Sequence, residues 1–192
     1  MKCFETIKAE NGKLFNMEYH QRRFERSSGL DISLTDFLSP PKDGLYRCKV
    51  VYDTSRIWEV IYYRYKKRNI TSLRLIEIDF DYERKYLKRN DIDRVFEQRG
   101  ECDDVLMVRN GLITDTSIAN VAFFDGREWL TPKTPLLAGT TRARYLDAKK
   151  LKEADITPQM LQNFSKMALM NAMIDFDIIP ITNPTKDTIV AH

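Results

Sequence analysis

The chain has 192 residues, enough for one large domain or two small ones sharing an interface, and 43% hydrophobic with 31% charged residues excludes an obviously disordered polymer. A net charge of +3 is too slight to imply nucleic acid by itself, and no apolar run approaches the roughly 20 residues of a membrane span. Cys3, Cys48 and Cys102 are single and widely spaced, neither a zinc site nor a disulfide framework. A reducing, cytoplasmic setting is therefore expected, and the opening MKCFETIKAE lacks the apolar core of a signal peptide.

Cys3–Ala9 reads as a strand that turns at Asn11-Gly12 and returns over Lys13–Phe15. Asn16 is placed to cap a helix over Met17–Ser28, and Gly29 is its natural stop. Arg22 and Arg26 on that helix read as a solvated face, and His20 as a structural hydrogen-bonding residue. Leu34–Leu38 forms a short helix before Pro40-Pro41. Three strand-like runs follow, Leu45–Tyr52, Ile57–Tyr65 and Ser72–Phe80, the middle one rich in aromatics. Lys66-Lys67-Arg68, with tyrosines nearby, reads as a solvated loop or as an RNA-binding patch.

Tyr82–Arg99 forms the next element, with Tyr86, Leu87, Val95 and Phe96 as an amphipathic face and Gly100 as its end. Val105–Val108, Ile118–Phe124 and Trp129–Thr131 are strands, tied by hairpin signals at Asn110-Gly111 and Asp125-Gly126. Arg142–Lys152 is a charged helix, Thr157-Pro158 opens a helix over Gln159–Phe164, and Lys166–Met173 and Ile178–Ile181 close the chain as strands. An α+β class follows, with a small domain over residues 1–80 and a larger one over 81–192.

Within Asn110–Arg142 lie a buried-looking acid, Asp115, and the helix entry Gly139-Thr140-Thr141-Arg142. Free backbone N–H groups and the helix dipole make such an entry a phosphate cradle, although the same residues also serve as a plain cap. Six segments then agree, in order, with one family: FETIKAENGKLF, EYHQRRF, ERKYLKRN, GLITDTSIANVAFFDG, LLAGTTR and LMNAM. The chain resembles the class IV aminotransferase family of pyridoxal phosphate enzymes (fold-type IV), which includes branched-chain and D-amino-acid aminotransferases and 4-amino-4-deoxychorismate lyase.

The resemblance implies a two-domain fold-type IV architecture with pyridoxal 5'-phosphate as cofactor. Lys85 falls where the family keeps the lysine that carries the cofactor as a Schiff base and acts as general base. Arg23 matches the arginine on the cofactor phosphate, Thr140 and Thr141 match the hydroxyl and backbone donors of the same cup, and Asn171-Ala172 matches its second loop. Asp115 stands where most relatives have glutamate beside the pyridine nitrogen, and Asn120 fits the asparagine of that motif or holds a turn.

Two departures stand out. Only three residues precede Phe4, where relatives have a further strand and loop, so a shortened N-terminal domain is expected. Phe4 also lacks the hydroxyl that D-amino-acid aminotransferases offer to a substrate carboxylate. The FETI-type opening and Phe4 lean the reading towards a lyase that releases pyruvate from 4-amino-4-deoxychorismate. A transaminase or a non-catalytic binder are the alternatives. Arg47 and Lys49 read as surface residues or as a carboxylate clamp. The resemblance further implies a homodimer acting on a small amino compound, with neither nucleic acid nor membrane as partner, and no metal site is expected.

Overall fold

A computed structural model describes residues 1–181 and 188–190. It divides into two units, Met1–Lys67 with Arg84–Lys88, and Arg68–Glu83 with Arg89–His192. The chain thus leaves the first unit after Lys67 and returns to it for a five-residue segment. Fold class is α+β, as the sequence pattern implies.

The first unit is one antiparallel sheet of β1 (Cys3–Glu10), β2 (Lys13–Leu14), β3 (Leu45–Tyr52) and β4 (Ile57–Arg64), in the order β2-β1-β3-β4. Asn11 and Gly12 both adopt positive φ, 49° and 78°, the geometry a two-residue hairpin demands. Alternate residues of β1 (Cys3, Glu5, Ile7, Ala9) are buried. Cys3 and Ile7 join a core with Phe24 of helix α1 (Met17–Ser28), Leu34 of a 3₁₀ turn over Leu34–Phe37, and Cys48, Val50 and Tyr52 of β3. Gly29 ends α1 at φ 72°, its N–H on the Glu25 carbonyl. The cap expected of Asn16 is not made: the residue is left-handed, φ 55°, and its side chain bonds no helix N–H, so it turns the chain rather than capping it.

The element expected over residues 82–99 is helical only at α2 (Asn90–Glu97). Before α2 the backbone is irregular and docks on β1. Phe4 N–H donates to the Lys85 carbonyl and Leu87 N–H to the Lys2 carbonyl, both at 2.9 Å, and Tyr86 bridges Cys3. The apolar face read as one helix belongs to two units. Tyr86 packs on the core of the first, whereas Ile92 and Val95 are buried in α2 of the second.

The second unit contains β5 (Ser72–Glu77), β6 (Asp104–Arg109), β7 (Leu112–Thr116), β8 (Asn120–Phe124), β9 (Trp129–Pro132), α3 (Thr140–Asp147), β10 (Lys152–Ala154), β11 (Lys166–Asn171), β12 (Asp175–Pro180) and β13 (Thr188–Val190). The main path of the sheet runs β10-β9-β8-β7-β6-β5-β13, with β11 between β8 and β12. Along β8, β11 pairs with residues 120–124, β7 pairs at Asn120 alone and β9 at Phe123 and Phe124. β7 and β9 therefore share one edge of β8 at its two ends. Leu106, Val108, Ile113, Val121, Phe123 and Met167 are among the residues that fill the core.

Strand β7 was not expected. Residues 113–116 are all buried, so period-two alternation is lost. The helix expected over Arg142–Lys152 begins at Thr140 and ends at Asp147. Lys149 takes φ 56°, and Lys152 enters β10, parallel to β9. The helix expected at Gln159–Phe164 is a 3₁₀ turn over Pro158–Asn163. Among the described residues, no helix is long and apolar enough to cross a membrane.

Candidate active site

In the first unit, the face of the sheet opposite α1 carries Phe4 and Thr6 of β1 beside Val51 and Lys49 of β3, as the register requires. Lys85 Nζ lies 4.7 Å from the Phe4 ring centroid and Lys49 Nζ lies 5.5 Å from the same centroid. Two ammonium groups thus share one aromatic ring. Arg47, one pair further along, stacks over Tyr63 at 5.0 Å and is exposed. Lys85 is placed by its backbone, because its carbonyl is bonded to β1.

The other face of the same strand holds Glu5, whose side chain is fully buried. Arg23 Nε and Nη2 donate to its two oxygens at 2.8 and 2.6 Å, and His20 Nδ1 lies 2.7 Å from Oε2. Burial alone would raise the Glu5 carboxyl, but the Arg23 charge and the hydrogen bonds of His20 and Arg23 hold it down at about 2. Arg23 therefore spends one edge of its guanidinium fork inside the protein. His20 has the structural hydrogen-bonding role read from sequence; Glu5 went unremarked there.

In the second unit, Asp115 of β7 is 5% exposed and pairs across the sheet with Asn120 of β8. Asn120 Nδ2 donates to Asp115 Oδ1 and the Leu137 N–H donates to Oδ2, each at 2.8 Å. Burial raises the Asp115 carboxyl to about 7, against the pull of those donors and of the Arg142 charge. The turn between the two strands is built from its own sequence. Thr116 Oγ1 donates to the Ala119 carbonyl and accepts the Ala119 N–H. Ser117 is tied to the fully buried Asp104 through both its N–H and its hydroxyl, and its carbonyl accepts from Arg89.

Gly139 precedes α3, and the first backbone bond of that helix runs from Ala143 N–H to the Gly139 carbonyl. The amides of Thr140, Thr141 and Arg142 consequently have no acceptor inside the helix. Thr140 and Thr141 are buried, and no hydrogen bond among the described residues uses either hydroxyl. Arg142 is buried too, its Nη2 on the Pro132 carbonyl at 2.8 Å and on Glu153 at 2.6 Å. Asn171 ends β11 next to Met170, the register partner of Asn120. It binds the Ile118 carbonyl through Nδ2 and takes the Met173 and Ile174 N–H groups on Oδ1, which shapes the turn containing Ala172. Asp115, Asn120, Asn171 and Ala172 are therefore neighbours through sheet register, and α3 packs on β11.

Residues 67–183 match the family model described as amino-transferase class IV. The chain belongs to the class IV aminotransferase family. Pyridoxal phosphate is the cofactor of this family. An uncharacterised protein of Haemophilus influenzae is 36% identical over 182 residues, covering 88% of this chain and 96% of its own. A crystal structure of a Haemophilus somnus protein, provisionally named 4-amino-4-deoxychorismate lyase, superposes with a TM-score of 0.83 at 30% identity, covering 90% of this chain and 96% of that one. A hypothetical aminotransferase of Mycobacterium tuberculosis, in its PLP-bound form, shares the fold: TM-score 0.73 and 17% identity over 92% of this chain and 79% of that one.

For a class IV aminotransferase, the residues that sequence reasoning overlooked are Glu5, Asp104 and Leu137, which hold Arg23, the Ser117 turn and Asp115, and Arg142, which ties α3 to Pro132 and Glu153. Glu5 had a signal, since a carboxylate inside a strand run needs a buried partner; Asp104 lies just ahead of the run Val105–Val108. The Leu137 amide had none.

Proposed function

We propose that this class IV aminotransferase is a pyridoxal phosphate lyase that removes pyruvate from 4-amino-4-deoxychorismate and leaves 4-aminobenzoate. The single observation that carries the choice of reaction is Phe4. A ring, with no hydroxyl, stands beside the Lys85 amine, and a second cation, Lys49, stands on the same ring. Such a surface suits a flat cyclic substrate bearing a carboxylate better than an amino acid bound by a tyrosine hydroxyl. The similarity to the Haemophilus somnus protein supports the same choice.

The donor set fits the cofactor. Asp115 is a buried acid with raised carboxyl, which gains by meeting a protonated ring nitrogen, and the start of α3 offers amides and two threonine hydroxyls to a phosphate. We assign Asp115 to that nitrogen, with Asn120 beside it. Arg23, Thr140, Thr141, Asn171 and the Ala172 backbone are assigned to the phosphate and its surroundings. Pyridoxal phosphate, when bound, supplies an aldehyde that takes up the substrate amine and a ring that draws electrons from the carbon bearing it.

Lys85 then withdraws the proton from that ring carbon of the substrate as general base. The bond between the neighbouring ring carbon and the enolpyruvyl oxygen breaks, and the six-membered ring becomes aromatic. Lys85 returns the proton to the methylene carbon of the leaving group, which departs as pyruvate. Lys49 holds the substrate carboxylate. The active species is proposed to be a homodimer, and a monomer mass by sedimentation velocity would refute that part.

The deciding experiment incubates the cofactor-loaded protein with 4-amino-4-deoxychorismate and measures pyruvate and 4-aminobenzoate. Equimolar release that Lys85→Ala lowers by about 10²–10⁴-fold is expected. Keto-acid formation from L- or D-amino acids without pyruvate release would make it a transaminase. Colour that no amine alters would make it a binder.

A further inference from the structure

Asn120 stands at a crossing of three chain segments. Its one amide NH2 donates twice, to Asp115 Oδ1 and to the Leu137 carbonyl, each at 2.8 Å. The Leu137 N–H donates to the other oxygen of Asp115 at 2.8 Å, so the three groups close a ring of hydrogen bonds. The amide oxygen of Asn120 occupies the space beside Gly139. A Cβ built on Gly139 would lie 1.9 Å from that oxygen and 3.1 Å from Asn120 Cγ, and the three nearest atoms it would meet all belong to Asn120. Gly139 itself has φ −74° and ψ 147°, extended backbone open to any residue. A glycine is needed here for room alone.

We propose that Asn120 is a positioning residue and that Gly139 is the socket that admits it, the two together fixing the Asp115 carboxylate for the ring nitrogen of the cofactor. The inference rests on the assignment of Asp115 made above. It replaces direct cofactor contact by Asn120 with an indirect role. Aspartate is one methylene shorter than the glutamate found in relatives, so its reach is set by where its neighbours hold it. Both oxygens are already clamped from the protein side, one by a side-chain amide and one by a backbone amide, which removes rotation about the carboxyl bond. Gly139 also opens α3, so the same residue ties this ring to the helix start assigned to the phosphate.

The test uses apoprotein and two aldehydes, pyridoxal phosphate and its 1-deaza analogue, in which C–H replaces the ring nitrogen. Affinities come from absorbance or fluorescence titration, without turnover. Wild type is expected to prefer the natural cofactor by about tenfold or more, the size of a charge-assisted hydrogen bond. Asn120→Ala and Gly139→Ala should each erase most of that preference while leaving the analogue's affinity within about threefold. The carboxyl titration of Asp115 in apoprotein, followed by ¹³C NMR, should move up in both variants, because a donor to the anion is lost.

A double variant separates the socket from a general packing defect. With Asn120→Ala in place, nothing within 3.7 Å remains to oppose a Cβ at 139. Adding Gly139→Ala should therefore cost nothing further in affinity or stability, a complete failure of additivity. Additive losses, or equal weakening of both aldehydes with an unmoved Asp115 titration, overturn the proposal. If wild type fails to distinguish the two aldehydes, the assignment of Asp115 to the ring nitrogen falls instead, and the NMR shift and double variant still judge the socket.

Discussion

Arg23 meets Glu5 edge-on, Nε to one carboxylate oxygen and Nη2 to the other, at 2.8 and 2.6 Å, with both side chains buried. The pair links α1 to β1, and His20 adds a second link to the same carboxylate from one turn away. Taking two charges out of water is costly, so this geometry holds only while both partners are present. Glu5→Gln should destabilise the protein by about 3–5 kcal/mol, because the buried Arg23 guanidinium loses the carboxylate it is paired with. Chemical denaturation at pH 7 checks the magnitude.

The same pair sets an acid limit. The folded-state carboxyl of Glu5 lies near 2, below its ordinary value of 4.5, so its stabilisation is complete above about 4.5 and is lost as pH falls towards 2. Wild type should lose stability across that interval, and Glu5→Gln should show a flatter profile. Parallel profiles for the two proteins would refute this origin.

Asp115 carries the opposite sign. Burial raises its carboxyl to about 7 from the ordinary 3.8, so the folded apoprotein binds the proton more tightly than the unfolded chain. Its contribution is fully present below about 4 and disappears as pH rises through about 7. Apoprotein should therefore become less stable over that range, by a few kcal/mol at the order-of-magnitude level. Cofactor binding should oppose the trend by offering the carboxylate a cation. Calorimetry of apo- and holoprotein from pH 5 to pH 8 would show a widening gap in melting temperature.

Asp104 stabilises the turn that carries Asp115 and Asn120. It accepts the Ser117 N–H and hydroxyl as well as the Val105 N–H. Asp104→Ala strands these buried donors and should cost about 3 kcal/mol. Pyridoxal phosphate should also bind more weakly at temperatures where the variant remains folded. A variant with normal cofactor affinity would show that the turn keeps its shape without this anchor.

Lys49 offers a test of substrate recognition that leaves the cofactor groups untouched. Lys49→Gln should raise KM for 4-amino-4-deoxychorismate by about 10–100-fold, as befits a charged contact to a carboxylate, with a smaller change in kcat. A loss confined to kcat would place Lys49 with proton transfer instead.

What the sequence made legible were features written in local chemistry. Asn11-Gly12 and Asn110-Gly111 announce two-residue hairpins because both residues need positive φ, and both are found so. Helix α1 runs from Met17 to Ser28 and stops at Gly29 as read, although Asn16 does not cap it. Features written in long-range pairing were hidden. Strand β7 is buried on both faces, Thr114 and Thr116 donating to the Met107 and Ala119 carbonyls and Asp115 accepting from Asn120, which leaves no alternation to read. Glu5 and Arg23 lie 18 residues apart, and Asp104 and Ser117 lie 13 apart, joined only once the strands are in register. Tyr86 and Leu87 mimic the face of a helix while in fact docking on β1. The family motifs reached the family across these gaps because they were matched as an ordered set.

The 1.9 Å approach of a would-be side chain at 139 to the amide at 120 also constrains descent. A lineage that exchanges the glycine first meets a collision, whereas one that first shortens the asparagine has already vacated the space. Among homologues, then, position 139 should diversify only in sequences whose position 120 has already become small, and the reverse order of change should be missing from their history.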